Sequence, residues 1–171
     1  MISQRPRITF ERTYDAPLAA VWALWTTKEG LESWWGPEGF SVKVHTLELR
    51  PGGQLLYAMS ATAPEQIEFM KNANMPVTTE AKITFTEVEA QRRLAYQHLT
   101  DFIPNVESYF VTTLLELSAT ATGVRMQLSI DPMHDDVWTE RATMGWESEL
   151  GKLTAAIQKR TAVTSAEGAT P

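Results

Sequence analysis

The chain contains no cysteine, and this absence excludes disulfide frameworks, thiolate nucleophiles and cysteine-ligated zinc. It also lacks any apolar run approaching the roughly twenty residues that a membrane-spanning helix requires. The first residues, MISQRPRITFERTY, include no hydrophobic segment of the kind found in signal peptides. We therefore expect a soluble, cytoplasmic protein without a membrane span.

Positive charge is also scarce, since 15 Lys and Arg stand against 21 Asp and Glu and give a net charge of -6. No basic cluster stands out, so nucleic acid is not an expected partner. The phosphate-binding loops GxGxxG and GxxxxGK[ST] and the nucleophile motif GxSxG are absent. Because the histidines His45, His98 and His134 show no HxH, HxxxH or HExxH spacing, we expect neither a metal nor a cofactor.

What is present is a series of short periodic segments, in a chain of 171 residues that suits one domain. Alternating residues predict a strand in RITFERTY, followed by two short helices in LAAVWALWT and from Lys28 to Trp35. FSVKVHTLEL and QLLYAMS form a predicted hairpin around RPGG. Four more strands are predicted over about Val77–Val88, Arg93–Thr100, Glu107–Leu117 and Val124–Ile130.

A long helix is predicted over roughly Asp135 to Arg160. Its apolar residues recur every three or four positions and form one stripe: Trp138, Ala142, Trp146, Leu150, Leu153 and Ile157. Seven antiparallel strands curved around one amphipathic helix predict an α+β fold. We assign residues 1–160 to this single domain and expect 161–171, TAVTSAEGATP, to be a disordered C-terminal tail.

Four motifs in this order carry a resemblance to a known family: YDAPLAAVWALWT, LESWWGP, VHTLELRPGG and GWESELGKL. Together they resemble the homologues of the activator of the heat-shock-protein ATPase (AHSA/SRPBCC), in the START-like helix-grip superfamily. The resemblance extends over about Arg7 to Ile157. It implies a curved seven-stranded sheet that grips the C-terminal helix, with two short helices after the first strand and a cavity between sheet and long helix.

The resemblance does not imply one reaction, because the superfamily includes lipid carriers, aromatic polyketide cyclases and co-chaperone domains. The segment 60–76 is longer than the hairpin common in the family. Its residues Glu65 to Asn72 suit one or two helical turns, and we expect this segment to be a lid near the cavity mouth.

The candidate ligand-binding residues are the aromatic, apolar and few polar side chains expected to face the cavity. They are Trp34, Trp35, Tyr57, Met59, Phe69, Phe85, Tyr96, His98, Tyr109, Met126, Trp138, Ala142 and Trp146. Ordinary core packing is the alternative interpretation of most of them.

The choice between ligand binding and core packing is clearest for the adjacent tryptophans Trp34 and Trp35. Neighbouring helical positions differ by about 100 degrees, so the two indoles cannot face the same way. One ring can seal the core while the other borders the cavity. His98 shares the parity of Tyr96 and can point inward beside it, or it can be hydrogen-bonded at a strand end. Glu149 lies at the edge of the helix stripe, where burial would raise its pKa.

The shortage of catalytic motifs favours binding of an apolar or aromatic small molecule, with no catalysis assumed. A polyketide cyclase-like enzyme is the first alternative, with His98, Tyr96 or Glu149 moving protons. A co-chaperone-like module that acts on a heat-shock ATPase is the second. A homodimer is compatible with the sequence, which does not show its face.

Overall fold

The computed structural model describes residues 5–167, with side chains described up to residue 161. The last helix continues past the predicted end at Arg160 and reaches Glu167. The predicted tail thus begins inside this helix, and its remainder, 168–171, lies outside the described residues.

The seven predicted strands are confirmed: β1 Ile8–Tyr14, β2 Phe40–Leu47, β3 Gln54–Ala61, β4 Thr78–Glu89, β5 Arg93–Thr100, β6 Tyr109–Ala119 and β7 Val124–Ile130. The helices are α1 Leu18–Thr26, α2 Lys28–Trp34, α3 Pro64–Asn72 and α4 Asp136–Glu167. The helical turns predicted within 65–72 are part of α3. Within the described range, no helix has the length and apolar character needed to cross a membrane.

The strands form one sheet in the order β1-β7-β6-β5-β4-β3-β2, and every neighbouring pair is antiparallel. Strands β2 to β7 follow one another around the sheet as antiparallel neighbours. Most of their connections are short turns, whereas the connection from β3 to β4 contains α3 and residues 101–108 join β5 to β6. Bulges interrupt the register between Val44 and Thr46 and between Phe85 and Glu87, and bulges bend the strands that carry them. With the long C-terminal helix, this arrangement confirms the predicted α+β helix-grip fold.

The core lies between the sheet and the helices. Alternation along β7 buries Val124, Met126, Leu128 and Ile130 on the inner face. The stripe of α4 meets that face through Leu150, Leu153 and Ile157, which are at most 5% exposed. Burial of large aliphatic side chains stabilises a domain by about 1.5–3 kcal/mol each, so the second half of α4 is firmly packed.

Four tryptophans connect the helices to one another. The Trp25 ring centroid lies 4.7 Å from that of Trp34, 5.8 Å from Trp35 and 6.5 Å from Trp146. Trp35 in turn lies 6.3 Å from Trp146 at an interplanar angle of 89°. Edge-to-face pairs contribute about 0.5–1.5 kcal/mol beyond their area. This tryptophan cluster joins α1, α2 and α4 at one end of the domain.

Strands β4 and β5 separate at one end. Their register runs from Glu89–Arg93 to Ile83–His98, although β4 extends further, back to Thr78. Beyond His98, β5 pairs with β6 alone, as in Leu99–Phe110. We call the gap between β4 residues 78–82 and the end of β5 the seam. It interrupts a sheet that is otherwise continuous.

The packing of α1 against α2 predicts opposite effects for two glycine substitutions. A Cβ at Gly30 would lie 2.2 Å from the Ala23 carbonyl oxygen and 2.7 Å from the Leu24 Cα, whereas a Cβ at Gly151 on α4 meets nothing within 4 Å. We expect Gly30→Ala to lower the free energy of unfolding by ~2 kcal/mol through overpacking. Gly151→Ala should raise it by ~0.5–1 kcal/mol through helix propensity. Urea denaturation followed by tryptophan fluorescence measures both, and equal effects would contradict the close packing.

Candidate functional site

A cavity of about 700 Å³ lies between the sheet and α4, beside Trp35. Its wall is largely aromatic, and the ring-bearing residues are Trp35, Tyr57, Tyr96, His98, Phe102 and Trp146. Met59, Thr79, Ala81 and Ile83 add smaller side chains from β3 and β4. The arrangement gives a large apolar surface with a few polar atoms.

The seam forms the mouth of this cavity, which Glu80 and Lys82 border on one side and Leu99 and Asp101 on the other. Side chains alternate along β4, so Glu80 and Lys82 take the outward parity. The Glu80 carboxylate accordingly lies 3.3 Å from the His45 imidazole on the outer face. The cavity therefore opens between two strands.

The structure assigns different places to the two adjacent tryptophans. Trp34 is fully buried and its indole N–H donates to the Leu24 carbonyl at 2.8 Å. Helix α2 ends at Trp34, and Trp35 has extended backbone angles of -62° and 144°. This change of direction turns Trp35 toward the cavity, where its ring centroid lies 6.4 Å from Tyr57 and 6.0 Å from Tyr96.

The turn after Trp35 is held by α4. Gly36 has a φ of 89°, a conformation that favours glycine. The Lys152 ammonium donates to the Gly36 carbonyl at 3.0 Å, and also lies 3.4 Å and 3.3 Å from the carbonyls of Pro37 and Phe40. These bonds fix the turn that follows Trp35, and with it one wall of the cavity.

Tyr96 carries an unpaired hydroxyl group. It is 2% exposed, and neither its hydroxyl nor that of Thr113, its partner across the strands, has a hydrogen-bond partner. Burial, with repulsion from Glu149, raises the pKa of Tyr96 well above its ordinary value. A buried hydroxyl without a partner costs about 1–3 kcal/mol.

Two further titratable groups face the cavity from the sheet. Burial raises the pKa of Tyr57, partly offset by hydrogen bonding to the Trp35 side chain. Burial lowers the pKa of His98, so its imidazole is neutral at pH 7. His98 thus lies on the cavity side with Tyr96, as its parity predicts.

Glu149 reaches the cavity from α4, one turn after Trp146. Burial raises its pKa to about 7, against the opposing effects of the Lys152 charge and the Gly36 N–H. The remaining accessible surface of Glu149 faces the cavity. At neutral pH its carboxyl group therefore exchanges readily between the protonated and ionised forms.

Of the residues predicted from the sequence, the cavity wall contains Trp35, Tyr57, Met59, Tyr96, His98 and Trp146. Trp34, Phe85 and Met126 are at most 1% exposed and belong to the core. Ala142 packs against that core without lining the cavity. A ligand-binding role for these four residues is not needed to explain their burial.

Two other predicted residues meet at the turn before α4. The Tyr109 hydroxyl accepts from the His134 backbone N–H at 3.1 Å and lies 3.1 Å from its Nδ1. Trp138 lies beside the same histidine, 6.2 Å between centroids, with the Arg141 guanidinium 5.0 Å from its ring. Both residues position the start of α4.

Helix α3 contributes no residue to the cavity wall. Its Phe69 is 63% exposed, whereas the neighbouring Met70 is buried. The role of this segment as a lid stays a prediction.

Several wall residues were not predicted. Thr79, Ala81, Ile83 and Phe102 line the cavity together with Asp101, whereas Glu149, which also lines it, was already a proton-transfer candidate at the edge of the helix stripe. The alternation of β4 gave a signal for its three residues, but Asp101 and Phe102 lie in a loop without periodicity. Between residues 5 and 167, no three His, Asp or Glu side chains converge in a way that could hold a metal ion.

A family model described as "Activator of Hsp90 ATPase homolog 1-like protein" matches residues 15–158. That span includes every residue of the cavity wall. No curated protein sequence matches the chain.

Solved structures share the fold. A protein of Chromobacterium violaceum is 21% identical with a TM-score of 0.70, covering 89% of this chain and 96% of its own. A protein of Nitrosomonas europaea is 23% identical with a TM-score of 0.69, covering 94% and 99%. An AHSA1 protein of Silicibacter pomeroyi is 20% identical with a TM-score of 0.70, covering 90% and 99%. At these identities the likeness shows the fold alone.

The burial of Glu149 predicts a pH-dependent difference in stability. Because its folded pKa is about 7, above the ordinary 4.5, the stability of the protein falls as pH rises through this window and the buried carboxyl ionises. Glu149→Gln cannot ionise. We expect the free energy of unfolding of this variant, relative to wild type, to rise by up to about 3 kcal/mol between pH 4.5 and pH 8.

Urea denaturation at both pH values measures this difference. Glu140→Gln, at an exposed position of the same helix, serves as the matched control and should show no such change. A Glu149→Gln difference that is the same at both pH values would contradict the burial of the ionisable group.

Proposed function

Since the chain belongs to the family of Activator of Hsp90 ATPase homolog 1-like proteins, we propose that it binds an apolar or aromatic small molecule in the cavity between sheet and α4. The aromatic wall around a volume of about 700 Å³ is the observation that carries this proposal. Small-molecule sites commonly enclose about 300–1,000 Å³ and combine apolar walls with few polar groups.

The polar atoms of the wall orient the ligand. The Glu149 carboxyl lies at the helix side, and the neutral His98 lies nearer the seam. A ligand that is aromatic over most of its surface and polar at one end would contact both kinds of wall. Burial of its apolar surface contributes about 25 cal/mol per Å² before the cost of ordering is subtracted.

The cavity predicts a clear effect of filling it from β4. Ala81 faces inward opposite Tyr57, so Ala81→Phe places a ring inside the cavity. We expect this variant to lower the affinity for N-phenyl-1-naphthylamine, a neutral aromatic dye, by at least about tenfold, because ligand and side chain compete for one volume. Dye fluorescence in a titration measures the affinity.

Ala90→Phe, at the exposed turn after β4, is the control and should bind the dye as the wild type does. Urea denaturation of both variants confirms that they fold. Unchanged dye binding by a folded Ala81→Phe protein would place the ligand elsewhere and contradict the proposal.

A second candidate function is acid/base chemistry similar to that of aromatic polyketide cyclases. The specific observation in its favour is the Glu149 carboxyl, with a pKa of about 7 and close to the Tyr57 and Tyr96 hydroxyls. A group whose pKa lies near the operating pH can both take and return a proton. In this function Glu149 exchanges a proton with an enolisable carbonyl compound.

Turnover distinguishes the enzyme from the binding protein. Glu149→Gln and His98→Ala would abolish conversion of a poly-β-ketone substrate while dye binding persists. A wild-type protein that binds such a compound and returns it unchanged would exclude the cyclase-like function.

The description of the family also names an activator of the Hsp90 ATPase. Action on a heat-shock ATPase is a prediction from this relationship alone. The cavity and its titratable groups do not support it, because binding of a protein partner requires neither. Failure to stimulate ATP hydrolysis by such an ATPase would count against it.

A further inference from the structure

The charges around the cavity are unequal in sign. Four charged side chains border it: Glu80, Lys82, Asp101 and Glu149. By the alternation of β4, the side chains of Glu80 and Lys82 point to the outer face of the sheet. The Glu80 carboxylate lies beside the His45 imidazole on that face. Of the other two, Asp101 lies at the mouth, in the loop after β5, and Glu149 lies on α4 in the cavity wall. Both are acidic.

One neighbouring cation, Lys152, acts on Glu149 and opposes the rise in its pKa. The Lys152 ammonium donates hydrogen bonds to the carbonyls of the turn after Trp35. Burial removes water from this ammonium and thereby lowers its pKa. His98 is neutral at pH 7 because burial lowers its pKa. Within the part of the chain that the structure describes, no cationic side chain on the cavity side is left to receive an anionic ligand.

The rings of the wall favour a cation for an independent reason. Trp35, Tyr57, Tyr96 and Trp146 meet at interplanar angles of 60° to 89° around Trp35. The π faces of tryptophan and tyrosine attract ammonium groups, by about 0.5–1 kcal/mol at exposed sites and about 2 kcal/mol when desolvated. An anion would be repelled by the same faces and by Glu149.

We propose that the ligand of this cavity is an organic amine, with its ammonium group against the Glu149 carboxylate among these rings and its apolar or aromatic body directed toward the seam. This inference rests on the proposed binding function and names the chemical class of the ligand. It accounts for a carboxyl group in an aromatic wall, where burial disfavours the charged form.

Three probes with the same naphthalene body test the charge preference: 1-naphthylmethylamine, 1-naphthalenemethanol and 1-naphthylacetic acid. Isothermal titration calorimetry at about pH 8 compares their affinities. We expect the amine to bind at least about tenfold tighter than the alcohol, and the acid to bind most weakly. In Glu149→Gln the amine should lose most of its advantage over the alcohol and keep only the part that the rings contribute, while alcohol binding is unchanged.

Glu147→Gln is the matched control, because Glu147 is exposed on α4 and pairs with Arg12 away from the cavity. This variant should keep the preference for the amine. Retained alcohol binding also shows that the Glu149→Gln protein is folded with its cavity intact.

The pH dependence isolates the carboxyl group. Glu149 shares the cavity with Tyr57, Tyr96 and His98 from the sheet and with Asp101 from the loop after β5, and it faces Lys152 on its own helix. The amine stays protonated between about pH 5.5 and pH 8, so its affinity should rise as Glu149 ionises, and should rise less in Glu149→Gln. The change of amine affinity with pH that remains in Glu149→Gln gives the contribution of the other titratable groups.

The outcomes separate this inference from the binding function. Alcohol or acid that binds as tightly as the amine overturns the inference and leaves the binding function standing. An amine preference that is undiminished in Glu149→Gln also overturns it. Failure of all three probes to bind the wild type overturns both.

Discussion

The contact of Trp35 with its aromatic neighbours is the interaction on which the site depends. Its ring meets Trp25 and Trp146 on the helix side and Tyr57 and Tyr96 on the sheet side. Rings of this size at edge-to-face angles hold α4 away from the middle of the sheet, where smaller side chains would let the layers close. The hollow beside Trp35 is thus a consequence of how the core is packed.

The fold was predictable because each element has a strong local signal. Alternation fixed the strands and their inward faces, and the three- and four-residue spacing in α4 fixed its buried stripe. The cavity wall was less predictable, since parity tells which face a residue joins but not its depth along the strand. Phe85 and Tyr96 share the inner face and are paired across β4 and β5, yet only Tyr96 borders the hollow.

Two local features, the end of α2 and the enclosure of Glu149, could not be fully predicted from the sequence, for physical reasons. A helix predicted through Trp35 ends at Trp34, and this one-residue difference separates the indoles by a change of backbone direction. Glu149 appeared as a residue at the rim of a stripe. Its enclosure depends on the turn at Gly36, which is distant in sequence and is positioned by Lys152.

The seam makes one end of the β4–β5 pairing easier to separate than the rest of the sheet. It divides three strands, β2 to β4, from the other four, and the ladder that joins them begins at the Ile83–His98 pair. Widening the opening by one step breaks pairing only at that end, at about 1 kcal/mol for each backbone hydrogen bond. A ligand larger than the cavity can therefore enter by fraying of the β4–β5 pairing, while α4 stays in place.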